Sequence, residues 1–122
     1  MKILLAEDDQ NIATIAVMTL ETLGGHIVTH VDDGEKAFNE ALRGDYELVI
    51  LDEMMPKMNG INVCKALIQE NLMTPIIFMS AKSQADDVSL FESIGTGYIP
   101  KPFDPATLNE LIKNILAGTQ KA

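Results

Sequence analysis

Short uninterrupted apolar runs alternate along this chain with segments in which apolar residues return every three or four positions. Ile3-Leu4-Leu5-Ala6, His26 to Val31, Leu48-Val49-Ile50-Leu51, Ile76-Ile77-Phe78-Met79 and Tyr98-Ile99 have the length of strands, and continuous apolar runs are what strands covered on both faces require. Between them, Ile12, Ile15, Ala16, Leu20 and Leu23 share one helical face. So do Ala37, Phe38, Ala41 and Leu42, then Ile61, Cys64, Leu67 and Ile68, and finally Leu108, Leu111, Ile112, Ile115 and Leu116. The stretch from Ala85 to Ile94 is more polar, with Val88, Leu90, Phe91 and Ile94 as its apolar positions, and predicts the weakest helix. Gly24-Gly25 and Gly44 end helices, Asp33-Gly34 turns into one, and Pro75 opens a strand. Asp104 is expected to cap the last helix with Pro105 at its first position. Five βα units predict an α/β fold: a doubly wound parallel sheet with helices on both faces.

Residues 1–122 form one domain in this reading, since no repeat, linker or low-complexity segment divides them, and 118–122 reads as a loose tail. With 47% hydrophobic and 22% charged residues the chain has the balance of a soluble globular domain. A formal net charge of −9 and scattered basic residues exclude a nucleic-acid surface, which needs clustered Lys and Arg. No apolar run is long enough for a signal peptide or a membrane span, and the lone Cys64 has no partner for an internal disulfide. A cytoplasmic protein with no membrane partner is expected. Cys64 lies on an apolar helical stripe and reads as a buried, inert thiol. The methionines read as core filler, except that Met54, Met55 and Met58 are placed to cover the acidic loop. His26 and His30 read as strand-surface residues with no ligand role, and Asp9 as a cap of the first helix.

The polar residues at the strand ends change the picture. Glu7-Asp8-Asp9 follows the first strand, Asp52 ends the third, Ser80 the fourth, and Lys101 lies just past the fifth. In open doubly wound sheets ligands bind outside these carboxyl ends. If the first and third strands are adjacent, Glu7, Asp8 and Asp52 converge. Two charges ~4 Å apart repel by ~1 kcal/mol in water and by ~4 kcal/mol at an effective dielectric of 20, so such a cluster calls for a cation, and oxygen ligands suit Mg²⁺. Asp52 is then a nucleophile able to form an acyl phosphate. Asp8 is the leading further metal ligand, with Glu7 acting partly through water. Lys101 and Ser80 are placed to contact phosphoryl oxygens.

The segments Ile3 to Asp9, Leu51-Asp52-Glu53-Met54-Met55-Pro56-Lys57-Met58-Asn59-Gly60, Met79-Ser80-Ala81 and Tyr98-Ile99-Pro100-Lys101-Pro102-Phe103 together resemble the receiver domain of two-component response regulators, of the single-domain, chemotaxis-regulator-like kind, from about Lys2 to Leu116. The resemblance implies a flavodoxin-like (βα)5 fold with strand order 2-1-3-4-5. It implies Asp52 as phosphoacceptor, Glu7 and Asp8 as the acidic pair, and the Met54 backbone carbonyl as a further metal ligand. Ser80 and Lys101 become the hydroxyl and lysine of the site, Ser80 and Tyr98 the switch pair, and the Lys101–Pro102 peptide is expected to be cis. Met54 and Lys82, two beyond Asp52 and Ser80, are the side chains expected to limit water access to the phosphoryl group, Lys82 by lying over its oxygens. The partners implied are a histidine kinase or histidine phosphotransfer protein upstream and a protein target downstream. The chain is then no enzyme beyond catalysing its own phosphorylation and dephosphorylation.

Three rivals share parts of this pattern. A flavodoxin-like electron carrier needs a Ser/Thr/Gly-rich phosphate loop after the first strand, where this chain has carboxylates. A haloacid-dehalogenase-type phosphatase resembles Asp-x-Asp, but Met54 stands at the second position. A pseudo-receiver that only binds partners does not need Asp52, Ser80 and Lys101 intact.

Overall fold

The computed structural model describes residues 1–82 and 84–118. Five parallel strands, β1 (Lys2–Ala6), β2 (Ile27–Val31), β3 (Leu48–Asp52), β4 (Ile76–Ser80) and β5 (Gly97–Pro100), form one sheet in the order β2-β1-β3-β4-β5. This is the expected 2-1-3-4-5 order. The helices are α1 (Gln10–Met18), α2 (Gly34–Arg43), α3 (Gly60–Gln69), α4 (Ala85–Ile94) and α5 (Leu108–Leu116). The proposed tail overlaps the described residues only at Gly118, and Thr119 to Ala122 lie outside them.

The side-chain alternation of each strand divides the core into two layers. Leu4, Ala6, Val49, Leu51, Ile76 and Phe78 face Ala37 and Ala41 of α2, Val63, Cys64 and Leu67 of α3 and Phe91 of α4. Ile3, Leu5, Leu48, Ile50, Ile77 and Ile99 face Ala16 of α1 and Leu108, Ile112 and Ile115 of α5. β1, β3 and β4 are buried on both faces, so their sequences carry no polar alternation until they reach their carboxyl ends. Cys64 is fully buried, and burial pushes its thiol up to about 11, as expected of an inert side chain.

Three local expectations are revised. Asp104 does not cap α5: its Oδ1 accepts from the N–H of Ala106 only two residues on, which closes a separate turn, and the helix starts at Leu108 after Thr107. The first helix also changes winding before Gly24, with a π-helical turn at Thr19–Leu23. There the Asn109 side-chain amide of α5 donates to the carbonyl of Thr19. The methionines expected as core filler are mostly not so, because Met1, Met18 and Met73 are exposed and only Met79 is fully buried. Met55 and Met58 do pack partly buried against the α2–α4 layer.

Candidate functional site

Parallel register sets the site. Ala6 pairs with Leu51, so Glu7 and Asp52 leave adjacent strands at the same level, and Asp52 pairs with Met79, which puts Ser80 one step beyond it. Asp9 caps α1, accepting the N–H groups of Asn11 and Ile12, and turns the chain directly after Asp8. Carboxylate oxygens of Glu7, Asp8 and Asp52 lie within 4.8 Å of one another, with Glu7 and Asp52 buried and Asp8 exposed. Lys101 reaches back from beyond β5, its Nζ 2.7 Å from Glu7 Oε1 and 3.0 Å from Asp52 Oδ1. The Lys101–Pro102 peptide is cis. Gly60, at the start of α3, lies so close under this strand end that a methyl group there would sit 2.4 Å from the carbonyl oxygen of Asp52.

The electrostatics follow from this packing. Burial, and then the neighbouring Glu7 carboxylate, push Asp52 up to about 7, against the opposing pull of Lys101. Burial lowers Lys101, but its hydrogen bonds to Glu7 and Asp52 outweigh that, and its ammonium is held above the ordinary lysine range. Three carboxylates against one ammonium leave the cluster short of positive charge. A small divalent cation that takes oxygen ligands and keeps some of its waters fits that deficit and the exposure of Asp8. Receiver domains generally use Mg²⁺.

Ser80 and Tyr98 are joined by the loop between β4 and α4. The Ser80 hydroxyl accepts the N–H of Lys82 at 3.0 Å and keeps its own O–H for donation. The Tyr98 ring lies inward, stacked on Phe91 with centroids 5.4 Å apart, and its hydroxyl donates to the Lys82 carbonyl at 2.7 Å. Glu7, Asp8, Asp52, Met54, Ser80, Lys82 and Lys101 therefore line one open cavity at the carboxyl edge of the sheet, and Tyr98 packs beneath its rim.

Two features depart from the sequence reading. The Lys82 ammonium is not over Asp52 but on Glu53, 3.1 Å from Oε1. Glu53 was read only as a loop residue, although its place directly after Asp52 and opposite the end of β4 was a usable signal. His30 is a strand residue, as expected, yet its Nε2 contacts the Glu7 carbonyl oxygen at 2.8 Å and so fixes the start of the acidic loop.

Comparisons with known proteins agree with this arrangement. The family model described as "Response regulator receiver domain" matches residues 3–113. The chain is 38% identical over 122 residues to the alkaline phosphatase synthesis transcriptional regulatory protein PhoP of Bacillus subtilis, covering 99% of this chain and 50% of that protein. It is 39% identical over 120 residues to the response regulator ArlR of Staphylococcus saprophyticus, covering 95% and 51%. The solved structure of the chemotaxis response regulator CheY4 of Vibrio cholerae superposes with a TM-score of 0.85 at 27% identity, covering 93% of this chain and 97% of that one. The chain thus spans about half the length of the curated relatives it matches. The name of PhoP as a transcriptional regulatory protein runs against an expectation of no nucleic-acid partner where the full-length relative is concerned. Among the described residues no helix is long and apolar enough to cross a membrane. In this family phosphorylation on an aspartate and recognition by histidine kinases are general, and this chain belongs to it: it is a receiver domain of two-component response regulators.

Proposed function

We propose that Asp52 is the phosphoacceptor, and that residues 1–122 act as one receiver unit switched by its phosphorylation. The observation that carries this reading is Lys101 Nζ bridging Glu7 and Asp52 at the mouth of a cavity that also holds Ser80. The proposed step is attack by an Asp52 carboxylate oxygen on the phosphorus of a phosphohistidine. A P–O bond forms, the P–N bond breaks, and the imidazole leaves with the electron pair and takes up a proton. Glu7, Asp8, Asp52 and the Met54 backbone carbonyl would hold Mg²⁺, which would supply the positive charge that an anionic phosphoryl group needs to approach a carboxylate.

The chain's own residues do the remaining work. As an Asp52 oxygen takes the phosphoryl group, Lys101, still held from the other side by Glu7, exchanges its contact there for one with a phosphoryl oxygen. Ser80 donates its O–H to another. Ser80 is drawn toward the phosphoryl group, and Tyr98, whose hydroxyl is bonded to the adjoining loop, reports that movement at the surface formed by α4, β5 and α5. No general acid or base stands at position 54, so the reactions catalysed are phosphorylation of Asp52 and the slow hydrolysis of its acyl phosphate, which releases inorganic phosphate and restores the carboxylate.

The donor is a histidine kinase or a histidine phosphotransfer protein, and the reader of the phosphoform is a protein, since the acidic surface of this unit is unsuited to nucleic acid. The site is cytoplasmic, where such donors and Mg²⁺ are found together. Phosphotransfer from a panel of purified kinases tests the reading. A partner kinase should label the wild type within seconds in Mg²⁺, and neither the wild type in EDTA nor Asp52→Asn. Labelling of Asp52→Asn at the wild-type rate would overturn it.

A further inference from the structure

Glu53 directly follows Asp52, and its side chain is only 8% exposed, with the Lys82 ammonium 3.1 Å from Oε1 and 3.3 Å from Oε2. Its backbone is fixed on both sides, the N–H donating to Met79 O at 3.2 Å and the carbonyl accepting from Gly60 N at 2.9 Å. The buried anion is therefore stationary and the long, half-exposed lysine comes to it. Taking the ammonium away leaves a buried charge without compensation, a costly state.

Lys82 is also where two other groups meet. Its N–H donates to the Ser80 hydroxyl at 3.0 Å, and its carbonyl receives the Tyr98 hydroxyl at 2.7 Å. One residue thus carries contacts to the loop after β3, to the hydroxyl at the end of β4 and to the tyrosine of β5. We infer that Glu53 is a positioning residue that, through Lys82, holds the carbonyl on which the Tyr98 hydroxyl rests and so sets how fully Tyr98 occupies its inward place. This rests on the reading of Asp52 as phosphoacceptor and names the groups that hold the tyrosine in that same site. An ammonium committed to Glu53 is also withheld from the phosphoryl oxygens, so Lys82 acts on the loop rather than as a lid.

Ring-labelled tyrosine makes this testable, because the chain has two tyrosines, Tyr46 and Tyr98, and Tyr98→Phe assigns the signals. Wild type, Glu53→Gln, Lys82→Gln and the double variant are compared by NMR, and titrated with beryllofluoride in Mg²⁺ as a phosphoryl mimic. Each single substitution should move the Tyr98 signals toward those of an exposed tyrosine, leave Tyr46 in place, and weaken the mimic by about fivefold, the size expected of one partly exposed ion pair. The double variant should go no further than either single one. Tyr98 signals that stay put in Lys82→Gln, or shifts that add in the double variant, would overturn the inference. Lys82 is half exposed, so its variant decides the matter even if Glu53→Gln does not fold. Failure of the phosphoacceptor reading shows separately, as wild type that takes no phosphoryl group at Asp52 while the Tyr98 signals still respond.

Discussion

The Asp52 carboxyl sits at about 7 in the folded protein against 3.8 as the ordinary value. Between these two values the folded state binds more protons than the unfolded one, so the metal-free protein loses stability as pH rises through that window. In EDTA the melting temperature of the wild type should fall from about pH 4 to about pH 7, and Asp52→Asn should flatten that decline. Near pH 8 the variant should melt several degrees higher, the equivalent of about 1–2 kcal/mol. Mg²⁺ should stabilise the wild type more than the variant, and equal responses would contradict a shared site. Met54 bears on a different property. It is 65% exposed beside Asp52 and cannot orient a water by hydrogen bonding. Met54→Asn should therefore release phosphate from the phosphoform several-fold faster, about 1 kcal/mol in the barrier, and an unchanged rate would show that water access is set elsewhere.

Helix starts and strand ends were legible wherever a single residue type has one physical use. Asp9 reads as a cap and is one, and Asp9→Ala should lower stability by about 1 kcal/mol, seen as a lower urea midpoint at unchanged slope. Gly34 opens α2 against the loop after β3, where a methyl group would lie 1.8 Å from the Met58 carbonyl oxygen. Gly34→Ala should displace that loop, costing roughly 1–3 kcal/mol and weakening Mg²⁺ binding with it, by calorimetry. The departures have equally local causes. Asp104 had two geometries open to it and takes the tighter turn, because its carboxylate meets the N–H two residues on. The π-helical turn at Thr19–Leu23 is met by Asn109, ninety positions away, and no local pattern carries such a contact. Exposed methionines misled because an unbranched side chain suits either a core gap or a surface.

The strand order was carried by the family resemblance. Helices on both faces and the convergence of Glu7, Asp8, Asp52, Ser80 and Lys101 were legible because they follow from five βα units, connection rules and the position of each residue along its strand. The Glu53–Lys82 pair was not, since it depends on which of two nearby anions a flexible lysine chooses. The fold holds its acidic cluster at the cost of self-repulsion, which Lys101 relieves in part and which a divalent ion would relieve more fully. On the reading proposed above, all of this serves one chemical event, the formation of an acyl phosphate on Asp52. Borohydride reduces an acyl phosphate to the alcohol, which converts a phosphorylated aspartate to homoserine. Wild-type protein phosphorylated in Mg²⁺, trapped in this way and digested should yield homoserine at position 52, with none in EDTA. Homoserine at another aspartate, or none at all from protein that has taken up phosphate, would contradict the assignment of Asp52.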